Sequence, residues 1–290
     1  MDTADIIKKV RKLEIKTKGL SKHIFSGEYH SAFKGRGMSF SEVREYIYGD
    51  DIRNIDWNVT ARTGGPHIKV FEEERELTVM LLVDISASSF FGTRTALKSE
   101  VMTEIAAVLA FSAITNNDKV GAILFSDHVV KYLPPKKGVQ NILRIIRELV
   151  HIDAVPAKTN LSEALVYLHN IEKKRSIAFV LSDFLTSDYE QALSIAGKKH
   201  DIIGVKVTDV AEHTLPDVGL IRAVDAETGA ERIIDTSDRA VRQHWKAYFS
   251  RMEEDFRQSF IRQKCDTIAV TSGEDYVKAL QIFFKQRSKR

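Results

Sequence analysis

The sequence has little cysteine, little net charge and no long apolar run, and each shortage excludes a class of protein. Its one cysteine, Cys265, excludes an internal disulfide and a zinc site built from several thiolates. The formal net charge of +3 is too small to imply a polyanionic partner by itself. Apolar runs end well short of the roughly 20 residues of a membrane span, and the N-terminus lacks the apolar centre of a signal peptide. We therefore expect a cytoplasmic protein.

Familiar catalytic and cofactor-binding motifs are also absent. The sequence has no P-loop, no G-x-S-x-G elbow and no G-x-G-x-x-G after a predicted strand. None of the nine histidines forms a spaced pair of the H-x-x-x-H kind, so zinc is not expected. The 290 residues are nevertheless enough to bury a full hydrophobic core, which indicates a folded domain rather than a tail or linker.

What the sequence does contain is the stretch Thr78–Ser89, TVMLLVDISASS. Residues 79–83 are apolar, which is typical of a strand buried on both faces of a parallel sheet. Directly after them, Asp84, Ser86 and Ser88 supply a carboxylate and two hydroxyls at alternate positions. All three are hard oxygen donors, which suit Mg²⁺, Mn²⁺ or Ca²⁺ better than a soft metal.

The middle of the chain alternates predicted strands and helices, which indicates a parallel sheet with helices on both faces. We therefore predict an α/β fold, doubly wound and mostly parallel, with residues 78–290 as the main domain. Residues 1–77 are predicted to form an N-terminal extension packed on that domain. A β-hairpin is predicted as an insertion near 220–235, where ETGA lies between two apolar segments.

Three local predictions accompany this fold. Residues 5–15 place apolar side chains on one face, as an amphipathic helix requires. Ser39 or Ser41 can cap a second short helix, because a side-chain oxygen there satisfies a free helix amide. The segment HVVKYL is expected to pair with the strand before it and to end at Pro134 and Pro135.

Two further loops carry suitable oxygens. Ligands of an open parallel sheet bind beyond the carboxyl ends of the strands, where the strand order reverses. Thr159 in AKTNLSEAL and Asp183 in VLSDF follow such positions if the strand of Asp84 is central. With Ser86 and Ser88, the set offers two carboxylates and three hydroxyls. Mg²⁺ tolerates so sparse a set because it keeps several of its waters. An open position on the ion could then accept an acidic side chain from another protein.

The arrangement resembles a von Willebrand factor A domain with a metal-ion-dependent adhesion site. The D-x-S-x-S motif of that family is present as Asp84, Ser86 and Ser88. Its threonine, within a Thr-Asn pair, matches Thr159, and its later aspartate matches Asp183. The resemblance implies that the three hydroxyls contact the metal most directly, whereas the two aspartates act partly through water.

A narrower resemblance covers most of the chain. The segments GRGMSFSEVREYIYGDDIRNIDWNVTAR, KVFEEERE and DAETGAERIIDTSD are similar to the bacterial DUF58 family. Members of that family resemble von Willebrand A domains and often accompany MoxR-type AAA+ ATPases. The resemblance implies an adaptor that works with such an ATPase through a metal-dependent protein–protein contact. Many members have N-terminal membrane helices that this sequence lacks, so membrane anchoring is not implied.

The oxygen cluster also fits two roles other than an adhesion site. Ser86 and Ser88 could cap a helix while Asp84 accepts backbone hydrogen bonds, without any metal. A Mg²⁺-dependent phosphohydrolase or phosphotransfer enzyme also places an aspartate after its first strand. Such an enzyme generally needs a second acid at the position of Ser86 and a lysine at a neighbouring strand end.

Two charged segments also have two interpretations each. Residues 239–290 contain twelve Lys/Arg against six Asp/Glu, which fits either a solvated helix face or a nucleic-acid-binding surface. The block Arg44–Trp57 is either a docking surface or a network in which arginines bridge carboxylates and pin the segment on the sheet. We expect the network, because Tyr46, Ile52 and Trp57 are interleaved as packing residues.

Overall fold

The structure is a computed structural model that describes residues 39–72, 77–93, 96–152 and 158–289. The helix predicted over residues 5–15 and the acidic residues 73–76 lie outside these ranges. The described residues form two compact units, of which the smaller ends at Leu77 and the larger begins at Thr78.

The elements of the described ranges are as follows. The strands are β1 (Ser39–Glu45), β2 (His67–Glu72), β3 (Thr78–Asp84), β4 (Lys119–Phe125), β5 (Val129–Lys136), β6 (Ile177–Ser182), β7 (Asp201–Thr208), β8 (Leu220–Val224), β9 (Glu231–Asp235) and β10 (Asp266–Thr271). The α-helices are α1 (Trp57–Thr63), α2 (Lys98–Thr115), α3 (Val139–His151), α4 (Leu161–Ile171), α5 (Glu190–Lys199), α6 (Val210–His213), α7 (Arg239–Arg262) and α8 (Tyr276–Arg287). Short 3-10 helices cover Ile52–Asn54 and Ala87–Phe90.

Six of the strands form the main sheet, in the spatial order β10-β7-β6-β3-β4-β5. Neighbouring strands are parallel, except that β5 pairs antiparallel with β4. Numbered by their order in the chain, these strands follow the pattern 6-5-4-1-2-3, which is the doubly wound order. The predicted α/β class and mostly parallel sheet are therefore confirmed.

The strand order reverses between β3 and β6. At such a point the connections that leave two adjacent strands run to opposite faces of the sheet, and a crevice opens beyond the carboxyl ends. Asp84 is the last residue of β3, and Asp183 follows the last residue of β6. The topology alone therefore brings both aspartates to one crevice.

Hydrophobic side chains fill both faces of this sheet. Met80 of β3 packs in a cluster with Leu165 of α4, Leu193 of α5 and Phe260 of α7. Leu81 points to the opposite face, because successive residues of a strand alternate, and it is also fully buried. Helix α2, which contacts β3, β4 and β7, is mostly buried without belonging to that cluster. Burial of each such side chain contributes about 1.5–3 kcal/mol, so β3 is held firmly at the centre.

The predicted hairpin is confirmed as β8 and β9, which pair antiparallel from Leu220–Asp235 to Val224–Glu231. Among the described helices, none has both the length and the apolar character that a bilayer crossing requires.

The smaller unit corrects one prediction. Residues 39–45 form strand β1, paired antiparallel with β2, and not the short helix predicted from Ser39 or Ser41. The register shifts between Phe40 and Glu42. Pairing with a distant segment therefore decided the conformation. The predicted packing of residues 1–77 on the main domain stays a prediction.

A second correction concerns strand β5, which runs through Pro134 and Pro135 to Lys136 instead of ending at the prolines. Strand β5 lies at the edge of the sheet, where a residue without an N–H is tolerated. Gly121 of β4 lies opposite, and a Cβ at that position would come within 2.9 Å of Pro135 N and Leu133 O. Glycine thus permits a close approach that the edge strand uses.

Candidate metal site

Asp84 is 1% exposed at the end of the central strand. The backbone amide of Ser86 donates to its Oδ1 at 2.9 Å, and the Ser182 hydroxyl donates to its Oδ2 at 2.6 Å. The first contact is a turn in which an aspartate bonds the amide two residues on, and it reverses the chain as soon as the strand ends. The loop hydroxyls therefore start beside the carboxylate.

Three hydroxyls lie next to this carboxylate. The Oγ atoms of Ser86 and Ser88 are 3.1 Å apart. Thr159 Oγ1 lies 2.8 Å from Ser86 Oγ and 3.5 Å from Asp84 Oδ2. All four residues are buried, with at most 9% exposure. The structure thus brings four of the five residues proposed for metal binding into one hydrogen-bonded cluster.

Contacts from two other strand ends hold Thr159 in this cluster. Asn160 accepts from the amide of Glu163 at 3.2 Å and so caps helix α4. The Asn160 amide donates to the Ser126 carbonyl, beyond β4, at 2.7 Å. The Thr186 hydroxyl, from the loop after β6, donates to the Thr159 carbonyl at 2.9 Å. Loops that follow β4 and β6 therefore fix the position of a hydroxyl that lies beside the end of β3.

Asp183, the fifth residue, is engaged differently. It is fully buried, its Oδ2 accepts from Lys98 Nζ at 2.7 Å, and its Oδ1 accepts from the Leu185 amide at 3.1 Å. Lys98, at the start of α2, is 1% exposed and also donates to Glu212 Oε1 at 2.5 Å. Both oxygens of Asp183 thus have partners outside the hydroxyl cluster.

Burial raises the pKa of Asp84 to about 6, and the neighbouring Asp183 carboxylate adds to this. Hydrogen bonds from Ser182 and Ser86 act in the opposite direction. The described groups that contact Asp84 come from Ser86, Thr159 and Ser182, and none of them is cationic. In the described part of the chain, Asp84 therefore carries a buried negative charge that no positive side chain compensates.

The ammonium of Lys98 is paired with Asp183 and Glu212 and not with Asp84. Burial acts to lower its pKa, but the carboxylates of Asp183 and Glu212 outweigh that effect, and the pKa of Lys98 is raised. A lysine with 1% exposure and two carboxylate partners is held as an ammonium inside the protein.

Sequence reasoning missed three residues that line this region. Ser182 immediately precedes Asp183 in LSDF, so a polar residue at the end of an apolar strand was the signal available for it. Lys98 and Glu212 had no such signal, because their contact joins residues that are 114 positions apart in the sequence. Only the fold brings them together.

The donor set fits a small hard cation. Octahedral ligands about 2.1 Å from Mg²⁺ lie roughly 3 Å from their neighbours. The oxygens of Ser86, Ser88 and Thr159 are separated by 2.8 and 3.1 Å, which is that spacing. Within the described residues, no group of three or more histidine, cysteine, aspartate or glutamate side chains is arranged to hold a metal. An ion here would depend mainly on hydroxyls and water.

The chain matches a known protein-family model over most of its length. A family model described as "Protein of unknown function DUF58" matches residues 42–255. The chain belongs to DUF58. Uncharacterized protein Rv1480 of Mycobacterium tuberculosis is 31% identical over 235 residues, which cover 80% of this chain and 74% of that protein. Uncharacterized protein MAV169 of Mycobacterium avium is 23% identical over 158 residues, which cover 53% and 93%.

Solved structures with a similar fold include the conserved hypothetical protein BatB from Bacteroides thetaiotaomicron. It is 16% identical, with a TM-score of 0.46, over 74% of this DUF58 chain and 100% of that chain. The SpRpn10 VWA domain is 11% identical, with a TM-score of 0.39, over 71% and 94%. Similarity at this level carries no information on function.

The charged block of this DUF58 chain forms local ion pairs. Arg44 donates to both carboxylate oxygens of Asp50, at 2.8 and 2.9 Å, and Arg53 pairs with Asp51 at 2.8 Å. Each arginine therefore pairs with a carboxylate nearby in the sequence. The predicted pinning of this segment on the main sheet stays a prediction. The packing prediction was wrong for Ile52 and Trp57, which are 67% and 71% exposed, because they lie on the short helical turns that face solvent.

Five of the twelve basic residues in the C-terminal region are paired with carboxylates. Five of its arginines contact carboxylates, namely Arg242 with Asp217, Arg251 with Asp255, Arg257 with Glu254, Arg262 with Glu190, and Arg287 with Asp201 and Asp266. Paired guanidinium groups attract phosphates less than free ones do. For these five arginines, the contacts fit a solvated helix face. Steep salt-dependent retention on DNA would instead indicate nucleic-acid binding by the region.

Proposed function

We propose that this DUF58 protein is a metal-dependent protein–protein interaction module. A divalent cation, for which Mg²⁺ is the best match and Mn²⁺ or Ca²⁺ are alternatives, is held by Ser86, Ser88 and Thr159, with Asp84 and Asp183 beside them. One observation carries the proposal. Asp84 is a buried carboxylate without a cationic partner among the described residues, and it lies among hydroxyls at the spacing of a metal shell.

The bound cation would supply an open position for an acidic side chain of another protein. The other positions around it are hydroxyls and water, which leave the positive charge of the ion only partly neutralised. A carboxylate from a partner is therefore attracted strongly, and the site discriminates against neutral surfaces. By family resemblance, we propose a MoxR-type AAA+ ATPase as the partner, which makes this chain an adaptor.

Metal binding is tested by calorimetric titration of Mg²⁺ and Mn²⁺ into the wild type, Asp84→Ala and Ser89→Ala. Ser89 is the matched control, because it lies in the same loop, is fully buried and has a hydroxyl without a hydrogen-bond partner within the described residues. We expect binding by the wild type and Ser89→Ala and loss of binding in Asp84→Ala. Equal binding of Mg²⁺ or Mn²⁺ by the wild type and Asp84→Ala would contradict the proposal.

Partner binding is tested by pull-down of a purified MoxR-type ATPase in Mg²⁺ and in EDTA. We expect capture by the wild type in Mg²⁺ only, and no capture by Asp84→Ala. Capture that is indifferent to both EDTA and the substitution would show that the contact lies elsewhere on the chain. Metal binding without any capture would reject this ATPase as the partner and leave the metal site standing.

A second candidate is a Mg²⁺-dependent phosphohydrolase, because Lys98 places the missing lysine beside Asp183. Its 1% exposure and its two carboxylate partners make it inaccessible to a substrate phosphate, however. The position two residues after Asp84 remains a serine. Hydrolysis of an aryl phosphate that is lost in Asp84→Asn would favour this enzyme over the interaction module.

A further inference from the structure

A cavity of about 530 Å³ lies between helix α7 and the loop that connects β6 to α5. Pockets that bind small organic molecules have volumes of about 300–1,000 Å³, so this cavity is large enough for such a ligand. None of the five residues proposed for metal binding lines it. The cavity is therefore a candidate for a second site, and the side chains that line it indicate which ligand it can hold.

The floor of the cavity is aromatic. Phe184, Tyr189 and Phe256 line it, and each is at most 6% exposed. The ring centroids of Phe184 and Phe256 are 4.3 Å apart, and those of Phe184 and Tyr189 are 6.2 Å apart. Packed rings present an apolar surface with electron-rich faces, which attract both an apolar body and a positive charge.

The exposed residues of the lining give the cavity a negative charge. Among the described lining residues, four are charged and all four are exposed, namely Asp188, Glu190, Asp255 and Arg262. Three carboxylates and one guanidinium give a net charge of −2. Arg262 donates to Glu190 Oε1 at 3.4 Å, so these two charges offset each other. The negative charge of the cavity therefore comes from Asp188 and Asp255.

These two carboxylates are poorly compensated. Asp255 lies 3.8 Å from Arg251, one helical turn earlier, and the two side chains are 68% and 84% exposed. Exposed pairs of this kind contribute little, because water and salt screen them. Asp188 accepts from the neutral Ser187 hydroxyl at 2.8 Å and, in the described ranges of the chain, pairs with no cation. Both carboxylates are therefore available to a positively charged ligand.

The buried phenol of Tyr189 adds a hydrogen-bond acceptor. Ser259 donates its proton to the Phe256 carbonyl at 2.8 Å, so the phenol, 2.9 Å from Ser259 Oγ, is the donor of that contact. The phenol oxygen can then accept a hydrogen bond from a ligand. Burial raises the pKa of Tyr189, and the carboxylates of Glu190 and Asp255 raise it further, against the effect of the Ser259 hydroxyl. The carboxylates that disfavour a phenolate here favour a cation.

The loop that borders the cavity is held in place. The Ser162 hydroxyl, in the first turn of α4, donates to the Asp188 carbonyl at 2.6 Å, and the Phe184 amide donates to Ser182 Oγ at 3.0 Å. Phe184 and Asp188 have φ values of +52° and +64°, which residues other than glycine rarely adopt. Such a conformation persists only where the surrounding contacts determine it. The cavity is therefore formed before a ligand arrives, and little ordering of the loop opposes binding.

We propose that this cavity binds a small organic cation, an amine with an apolar body. The apolar body packs on the aromatic floor, and the ammonium group lies beside Asp188 and Asp255. The inference goes beyond the proposed function and does not depend on a metal ion at Asp84. Two other ligands are tested against it. One is an anion, which Arg262 and the free amides at the start of α5 could hold, and the other is a basic side chain of another protein.

The first experiment uses three probes that share a phenylethyl body and differ in charge. They are 2-phenylethylamine, 2-phenylethanol and 3-phenylpropionate, each titrated into the full chain in EDTA. The NMR signals of the backbone amides of residues 186–191 report the site and the affinity. We expect the amine to bind with a Kd on the order of 1 mM, and the alcohol and the carboxylate to bind at least about 10-fold more weakly.

The second experiment removes the two carboxylates. Asp188→Asn combined with Asp255→Asn keeps the shape of both side chains, and asparagine tolerates the positive φ of residue 188. The matched control is Glu253→Gln combined with Glu254→Gln, which removes two exposed charges from the same helix at positions that do not line the cavity. We expect the first double variant to bind 2-phenylethylamine about 10-fold more weakly and the control to match the wild type. Thermal unfolding checks that both variants retain the fold.

Four results would overturn the proposal. They are no binding of the amine, equal binding of the three probes, tighter binding of the carboxylate, and wild-type affinity in the variant without Asp188 and Asp255. A fifth probe result concerns the source of the cation. The tripeptide acetyl-Gly-Arg-Gly-amide represents a partner's side chain, and tighter binding of it than of the amine would overturn the small-molecule assignment. Because every titration contains EDTA, none of these results bears on the proposed metal site.

Discussion

One aspartate in the smaller unit and one in the larger unit have pKa values that are shifted in opposite directions. Asp50, in the smaller unit, accepts two hydrogen bonds from Arg44, and these bonds lower its pKa below the ordinary value. Asp84, at the centre of the sheet, is 1% exposed, and burial raises its pKa to about 6. The directions are opposite because Asp50 is partly exposed and paired with a guanidinium, whereas Asp84 is buried and contacts no cationic group among the described residues.

The sequence distances behind these contacts differ just as much. Arg44 is six residues from Asp50, so the pair forms within a short segment. The hydroxyls that contact Asp84 come from Thr159 and Ser182, which follow it by 75 and 98 residues. Contacts between exposed neighbours add little stability, while contacts in a desolvated site depend on the whole sheet. The charged block thus reflects local sequence, whereas the metal site is a product of the fold.

The largest effect that tests this contrast is expected for Lys98→Met. Removal of the ammonium leaves Asp183 and Glu212 buried without their cation, which should lower the free energy of unfolding by about 3–5 kcal/mol. Urea denaturation measures the change. Lys131→Met is the control, because Lys131 also contacts a carboxylate, Glu148, at 2.5 Å but is 42% exposed. It should cost less than about 1 kcal/mol.

A double variant checks the reason for that loss. Lys98→Met combined with Glu212→Gln strands one buried charge instead of two, so it should be more stable than Lys98→Met alone. If the single and double variants are equally stable, or if Lys98→Met costs no more than Lys131→Met, then burial does not govern the energy of charges in this crevice.

The next largest effect is expected at His200, a buried histidine that directly precedes strand β7 in the larger unit. His200 is 2% exposed, and burial lowers its pKa from 6.5 to about 4, with smaller contributions from Lys199 and His169. Its Nδ1 lies 2.9 Å from the Ser176 hydroxyl. The unfolded chain therefore binds a proton more readily than the folded chain as the pH falls below 6.5.

The expected result is a loss of stability between pH 6.5 and about pH 4, reaching up to about 3 kcal/mol. Above pH 6.5 the contribution is fully present, because neither state is protonated. Unfolding free energies across this range, for the wild type and His200→Gln, measure it as a difference in slope. His128→Gln, which removes a 63% exposed imidazole, is the control. Parallel curves for the wild type and His200→Gln would contradict the prediction.

These regions also explain how far sequence reasoning could go. The run Val79–Val83 identified the central strand because five apolar residues followed at once by polar ones are typical of a strand buried on both faces. The position of Thr159 followed from the rule that strand ends meet at one edge of a sheet. Both predictions depend on patterns that the local sequence or the topology determines.

The remaining features depend on contacts that no local pattern encodes. Lys98 lies in the first turn of α2, whereas its partners Asp183 and Glu212 follow it by 85 and 114 residues in the sequence. The burial of Lys98 could therefore not be predicted from the local sequence. Strand β1 was mistaken for a helix because its serines suit a helix cap, whereas pairing with the later strand β2 decided its conformation.

The smallest effect is expected for Arg44→Gln, and it is best measured on Asp50 itself by NMR titration of its carboxyl carbon. The pKa of Asp50 should rise towards its ordinary value, because Arg44 is the first cause of the lowering. The rise should be incomplete, since the Ile47 amide still donates to the same carboxylate at 2.8 Å.

Salt should also raise the pKa of Asp50 in the wild type, because the screening length falls from about 30 Å at 0.01 M to about 3 Å at 1 M. The pKa of Asp84, whose shift comes first from burial, should not respond to salt. A salt response of equal size at both aspartates would remove the distinction between the exposed block and the buried site.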